Sequence, residues 1–188
     1  MTTTEPLTPA GRRIVAAAED LFYARGITAV GVDLIAERSG VTKRTLYNRF
    51  GSKDALVAAY LRERDGRWRA LVQHVVTTCS DPVDAVTAPF VALERWTGGR
   101  GCAFVNALAE LPDPDHPAHR IAADQKRWLR GLFAQLATTA GCAEPETLAA
   151  RLFVLHEGIL AAQPVQPDTG AVGTALAKDL VRTASARP

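Results

Sequence analysis

The chain has 188 residues, 47% of them hydrophobic, and a formal net charge of only +2. That supplies enough apolar side chain for a sizeable core, and so even a charge balance does not by itself mark a nucleic-acid binder. Its three cysteines, Cys79, Cys102 and Cys142, are odd in number, widely spaced and without a Cys-x-x-Cys pair, which argues against a disulfide framework or a zinc site.

The distribution of charge says more than its sum. Residues 1–70 carry a net +4 and residues 71–188 a net −2. Between Arg38 and Lys53 there are five basic residues and no acidic one, the footprint expected of a phosphate-binding surface. The opening MTTTEPLTPAGRR has no apolar core and does not read as a signal peptide. No apolar run approaches the length needed to span a bilayer, so the expected setting is the cytoplasm, without a membrane partner.

In chain order, residues 1–7 read as a disordered tail. Thr8-Pro9 gives an N-cap followed by proline at the first helical position. Ile14, Ala17, Ala18, Leu21 and Phe22 then recur at helical spacing until Gly26 ends the first helix. A second helix is expected from Val32 to Ser39 with Gly31 as its N-cap. Gly40 supplies the positive φ of a tight turn, and a third helix follows from the Thr42 N-cap to Gly51. The offsets Ala36, Gly40 and Leu46 fit two crossing helices: a small residue at the contact, a glycine in the turn and an aliphatic lock beyond it. Leu46 and Phe50 form the inward stripe of the third helix, which leaves its basic and aromatic side chains pointing elsewhere.

The fourth helix, Lys53 to about Thr78, would be about 38 Å long, too long to serve the N-terminal unit alone. Arg62, Glu63, Arg64, Asp65, Arg67 and Arg69 read as its solvated middle. A single fifth helix is predicted from Val83 to Trp96, then a break at Gly98, Gly99 and Gly101. A short apolar helix follows over Cys102–Leu111, then a proline-rich loop. Three more helices are predicted over Pro117–Ala140, Pro145–Ala162 and Ala171–Ala184. With no strand alternation anywhere, the fold class is all-α. The expected organisation is an N-terminal three-helix helix-turn-helix domain over residues 1–52 and a C-terminal helical domain over residues 53–188.

The third helix has the chemistry of a reading head. Its N-terminal side chains would reach base edges if the helix entered a major groove. Arg44 can contact guanine twice and Asn48 can pair with adenine, while Thr42, Tyr47 and Lys53 can fix register on phosphates. Each phosphate neutralised would add about −0.9 to the salt slope. Downstream, Phe90, Phe104 and Trp128 read first as core aromatics that can also line a pocket, and Asn106 and His156 are polar residues inside apolar runs. His116 and His119 lie three apart near Asp113 and Asp115. That spacing permits a metal, but a solvated loop is the simpler reading, and neither metal nor cofactor is expected. Cys102 reads as a small hydrophobe, with no basic neighbour in sequence closer than Arg100.

The run from ARGI through VDLIAERSGVTKRTLYNRFGSKDAL, within residues 9 to about 60, resembles the TetR (tetracycline-repressor-like) family of bacterial transcriptional regulators. The resemblance implies a homodimer on a palindromic double-stranded DNA operator, released by a small-molecule effector in the C-terminal domain. It matches Thr42 and Tyr47 to phosphate contacts and Lys53 to the lysine anchoring the fourth helix. It also matches Lys43, Arg44, Thr45 and Asn48 to positions facing base edges. One departure is Gly31, where the family usually has a Ser or Thr that caps and touches phosphate. The expected effector contacts are Phe90, Phe104, Asn106, Trp128 and His156. The expected dimer contacts are Leu152, Leu155, Ile159, Leu176 and Leu180. The competing readings are an enzyme using the helical pocket and a protein-interaction module with a basic face. The first lacks a phosphate-cradling loop, a nucleophile elbow or a paired acid and base. The second predicts no sequence preference on DNA.

Overall fold

A computed structural model describes residues 7–96 and 99–185. The predicted tail falls outside this range except for Leu7, as does Gly98 of the glycine break. Among the described residues there are ten helices and no strand: α1 Pro9–Arg25, α2 Val32–Ser39, α3 Lys43–Phe50, α4 Lys53–Thr78, α5 Pro82–Val86, α6 Ala88–Arg95, α7 Ala103–Glu110, α8 Pro117–Thr139, α9 Pro145–Ala162 and α10 Thr169–Ser185. None of these is long and apolar enough to cross a membrane. The all-α fold is as the sequence predicts.

One predicted element is corrected. The single helix expected over Val83–Trp96 is two, α5 and α6, divided at Thr87. Pro89 is the reason: it has no N–H to give the carbonyl one turn back, and its ring crowds that carbonyl. The chain tightens there, with Thr87 N–H donating to Asp84 O at 3.1 Å and Phe90 N–H to Thr87 O at 3.0 Å.

The chain packs as two compact units. Among the described residues the first comprises 7–64 and 103–122, the second 65–96, 99–102 and 123–185. In the first unit α1, α2 and α3 pack on one another around Ile14, Ala18, Leu21, Phe22, Ile35 and Leu46, with Leu56, Val57 and Leu61 from the start of α4. The Phe22 and Tyr60 rings meet at 5.9 Å. Arg64 departs from the solvated role expected of it. It is 7% exposed, pairs with Glu19 of α1 at 2.8 Å and lies 4.6 Å from the centre of the Tyr23 ring. The helix α7 also belongs to this unit: the Glu110 carboxylate accepts from the Thr28 backbone N–H at 2.9 Å and from its hydroxyl at 3.1 Å, fastening the turn between α1 and α2.

The second unit is built on Trp68, Val72, Phe90, Leu93, Leu129, Phe133, Leu148, Leu152, Ile159, Ala177 and Val181. The helix α10 packs along α9 and against α5 and α6. The side chain of Ile159 on α9 packs directly over Gly173 of α10, where a Cβ would stand 2.3 Å from Ile159 Cδ1.

Candidate nucleic-acid interface and buried polar cluster

The pair α2–α3 is held by local chemistry. Gly40 ends α2 in the left-handed region at φ 68°, and the following Val41 N–H donates to Ala36 O at 3.0 Å. An L side chain resists that backbone, which is why glycine stands at the turn. Thr42 caps α3, its hydroxyl accepting from the Thr45 N–H at 3.1 Å and lying 2.9 Å from the Thr45 hydroxyl. Gly31 starts α2 with no side-chain cap. Leu46 is fully buried and turns α3 so that Arg44, Tyr47, Asn48 and Arg49 face outward, with Tyr47 40% exposed.

The predicted contact residues sit together on α3 and at the first residue of α4. Thr42 and Lys43 are exposed, Thr45 is half-buried, and Lys53 is half-buried with its Nζ 5.9 Å from the centre of the Phe22 ring. Lys43 is engaged within the chain, its Nζ 2.9 Å from Asp33 of α2. The hydrogen bond that Lys43 donates to Asp33, and then the charge of that carboxylate, raise the lysine pKa above its ordinary value. For Lys43 to face a base edge it must exchange that carboxylate for DNA. Ser52 caps α4, its Oγ accepting from the Ala55 N–H at 3.0 Å. Arg49 is an exposed cation of the last α3 turn that the predicted contact set omits.

The five predicted effector residues fall in both units. Phe104 is buried and Asn106 half-buried on α7 of the first unit, where Asn106 borders a cavity of about 10 Å³ with Phe22, Tyr23 and Tyr60. Phe90, Trp128 and His156 belong to the second unit. His156 is 2% exposed and stands among three aromatic rings: Trp68 and Phe90 at 5.7 Å and Phe133 at 6.3 Å between ring centres. Trp128 is half-buried under the Arg69 guanidinium, 4.6 Å from its ring centre.

The second unit buries side-chain polar atoms that have no hydrogen-bond partner among the described residues. They are both His156 ring nitrogens, Trp68 Nε1, Gln125 Oε1, Asp65 Oδ1 and Glu157 Oε1. His156 Nδ1 is 3.5 Å from Glu157 Oε1, while Glu157 Oε2 accepts from Lys126 at 2.6 Å. Burial pushes the His156 imidazole down, against the pull of Glu157. Burial also works to raise Glu157, but its contact with His156 and the charge of Lys126 leave it below the usual carboxylate value. The helix spacing that exposes His156 as polar in an apolar run carries no sign of Trp68, Gln125 or Asp65, which arrive from other helices.

Contacts place three further groups of residues. Cys102 has a basic neighbour after all: Lys126 Nζ lies 3.2 Å from its Sγ, from a residue 24 positions away. His116 and His119 have other work. The first accepts from the Ala118 N–H at 3.1 Å and stands 3.4 Å from Asp54, and the second lies 2.5 Å from Leu111 O. Of the predicted dimer contacts, Leu152 and Ile159 are buried in the second unit's own core at 0% and 2% exposure. Leu155 and Leu180 are half-buried and Leu176 is exposed, beside Val154 and Val172, which are exposed and absent from the predicted set.

A family model described as "Bacterial regulatory proteins, tetR family" matches residues 14–60, which take in α2, α3 and the start of α4. The structure superposes on SCO4454, a TetR-family transcriptional regulator from Streptomyces coelicolor. The TM-score is 0.88 and the identity 32%, over 94% of this chain and 96% of that one. The chain belongs to the TetR family. Its relatives include the HTH-type transcriptional regulator YjdC of Escherichia coli (strain K12), 27% identical over 89% of this chain and 91% of that protein. A further relative is the HTH-type transcriptional repressor KstR2 of Mycolicibacterium smegmatis (strain ATCC 700084 / mc(2)155), 28% identical over 69% of this chain and 67% of that protein. As a TetR regulator the chain is a DNA-binding regulator of transcription, and α1–α3 are its helix-turn-helix.

Proposed function

We propose that this TetR regulator is a homodimeric repressor that binds a palindromic operator through α3 and leaves it when a small, largely apolar effector enters the second unit. The observation that carries the DNA reading is the division of α3: Leu46 fully buried, and Arg44, Tyr47 and Asn48 exposed on one short helix capped by Thr42. A helix so presented fits a major groove, with Arg44 and Asn48 for base edges and Thr42, Tyr47 and Lys53 for phosphates. Two copies must hold their α3 helices about 34–36 Å apart to enter successive grooves. The exposed apolar side chains of α9 and α10, Val154, Val172 and Leu176, support that pairing. An effector that favours one position of α4, which begins at Lys53 and runs unbroken to Thr78, would shift the dimer between binding and non-binding spacings. Repression is the simplest use of such release, and the cytoplasm is where it would act.

The test is operator binding at fixed salt. Arg44→Ala is expected to cost about 1–3 kcal/mol and to relax selectivity at one base pair. Tyr47→Ala is expected to weaken all duplexes alike. If both variants bind as the wild type does, the basic head serves a protein partner instead. Repression itself is read by a reporter behind the operator: deleting the regulator must raise transcription, and a fall would make it an activator.

A further inference from the structure

One residue of the reading head sits badly with helix electrostatics. Lys43 is the first residue of α3, at the positive end of the helix dipole, and the first turn of α3 holds no acid. The missing counter-charge comes from α2. Asp33 Oδ1 lies 2.9 Å from Lys43 Nζ, and Oδ2 accepts from it at 3.0 Å. Among the described residues Asp33 is the one carboxylate paired with any of the predicted contact residues of α3. Both side chains are exposed, so the pair adds little to stability. A carboxylate on the surface that must approach phosphates is also repelled by them. Its place there calls for a donor on the DNA.

The major groove supplies one. A G·C pair shows two guanine acceptors there, N7 and O6, and then the cytosine N4 amino donor. Guanine O6 and cytosine N4 are hydrogen-bonded to each other, hence about 2.9 Å apart. Lys43 Nζ and the Asp33 carboxylate have the same separation. Lysine on guanine and carboxylate on cytosine therefore match one base pair, donor to acceptor and acceptor to donor. When Lys43 exchanges Asp33 for guanine, the free N4–H of cytosine takes up the carboxylate left behind. An A·T pair fits less well. Its one major-groove donor, the adenine N6 amino group, has an acceptor on either side, adenine N7 and thymine O4. A carboxylate on N6 faces at least one uncovered lone pair. Cytosine N4 has an acceptor on one side only, the O6 that Lys43 covers.

We propose that Asp33 is a specificity-determining residue of the reading head: with Lys43 it selects a G·C pair in the operator, accepting from cytosine N4 while Lys43 donates to guanine. This rests on the reading of α3 as the operator-binding helix and adds a base contact from α2. The test uses the purified full chain and a random duplex library, sequenced after selection at fixed salt. Duplexes that differ from the selected site at single pairs are then titrated. At one position of each half-site the wild type is expected to hold G·C about tenfold better than any other pair. Asp33→Ala and Lys43→Ala are each expected to bring that preference close to one. The double variant is expected to lose no more discrimination at that position than either single variant, because the two side chains read one pair. Removing a charge that repels phosphates, Asp33→Ala is also expected to bind duplexes lacking the site more tightly. Circular dichroism confirms the fold of each variant, and both side chains are exposed. Tighter binding of all duplexes alike in Asp33→Ala, with base preferences kept, means that the carboxylate acts by charge alone and overturns the proposal. A uniform loss of affinity means that it only steadies Lys43, and overturns it too. So do two substitutions that relax two different pairs. If the wild type selects a site at which no pair responds to Asp33→Ala, the operator reading stands and the role of Asp33 falls. If the wild type selects no sequence, both fall.

Discussion

Thr42 and His156 mark the two ends of what a single residue reveals. The role of Thr42 is set within its own turn, since the N–H it caps belongs to Thr45, and a threonine before a basic helix ending in glycine is enough to see it. Leu46 is legible for the same reason, because the stripe it shares with Phe50 is local. His156 shows only that it is polar. Its neighbours Trp68, Phe90 and Phe133 come from three other helices, 23 to 88 positions away, and no spacing in sequence brings them together. Its titration gives a prediction. Burial holds its imidazole below the ordinary 6.5, with Glu157 of α9 pulling upward and Lys126 of α8 pushing down. Below 6.5 the unfolded chain therefore takes up a proton that the native chain refuses, so stability falls as pH drops through that value. Glu157, held below its ordinary 4.5, loses its contribution only below that pH. The melting temperature is expected to fall between pH 7.5 and pH 5.5, and His156→Leu to flatten that fall. A wild-type melting temperature constant across the interval would refute it.

Helix starts and stops are read well where caps are local and badly where packing decides. Thr8-Pro9, Asp81-Pro82 and Ser52 cap α1, α5 and α4 through side-chain acceptors 2.8–3.2 Å from backbone N–H groups. The break at Thr87 was hidden because the apolar positions on either side of Pro89 keep helical spacing while the proline removes a backbone donor. The role of α7 was hidden for a different reason: its tie to the first unit runs through Glu110 and Thr28, 82 positions apart. Gly173 belongs to this scale as well. It reads as an unremarkable helical glycine, yet it lets α10 lie against Ile159, where a Cβ would meet side-chain carbon at 2.3 Å. Gly173→Ala is expected to destabilise the fold by about 1–3 kcal/mol through overpacking, despite its gain in helix propensity. Urea denaturation measures this, and a variant as stable as the wild type would show that Ile159 can swing aside freely.

For the whole molecule, the sequence carries the helical fold and the head clearly, because both rest on periodicity and on caps within a few residues. It carries the assembly poorly. An apolar side chain at helical spacing can face its own core or a partner, and Leu152 and Ile159 went to the core while Leu176 stayed at the surface with Val154 and Val172. A dimer built on α9 and α10 therefore predicts that Leu176→Glu with Val172→Glu yields a folded monomer by light scattering and circular dichroism. Such a monomer should lose operator affinity with α3 unaltered, since neither substitution touches the head. A variant that stays dimeric would move the interface elsewhere. The central claim is that two α3 helices read DNA together. It is tested most directly by selecting binders from a random duplex library with the purified wild-type chain. Two inverted half-sites one helical turn, about 10 base pairs, or a multiple of it apart are expected to be enriched, with Arg44→Ala weakening selection at one pair in each half. Enrichment of a single unrepeated site, or of no sequence, would contradict the account.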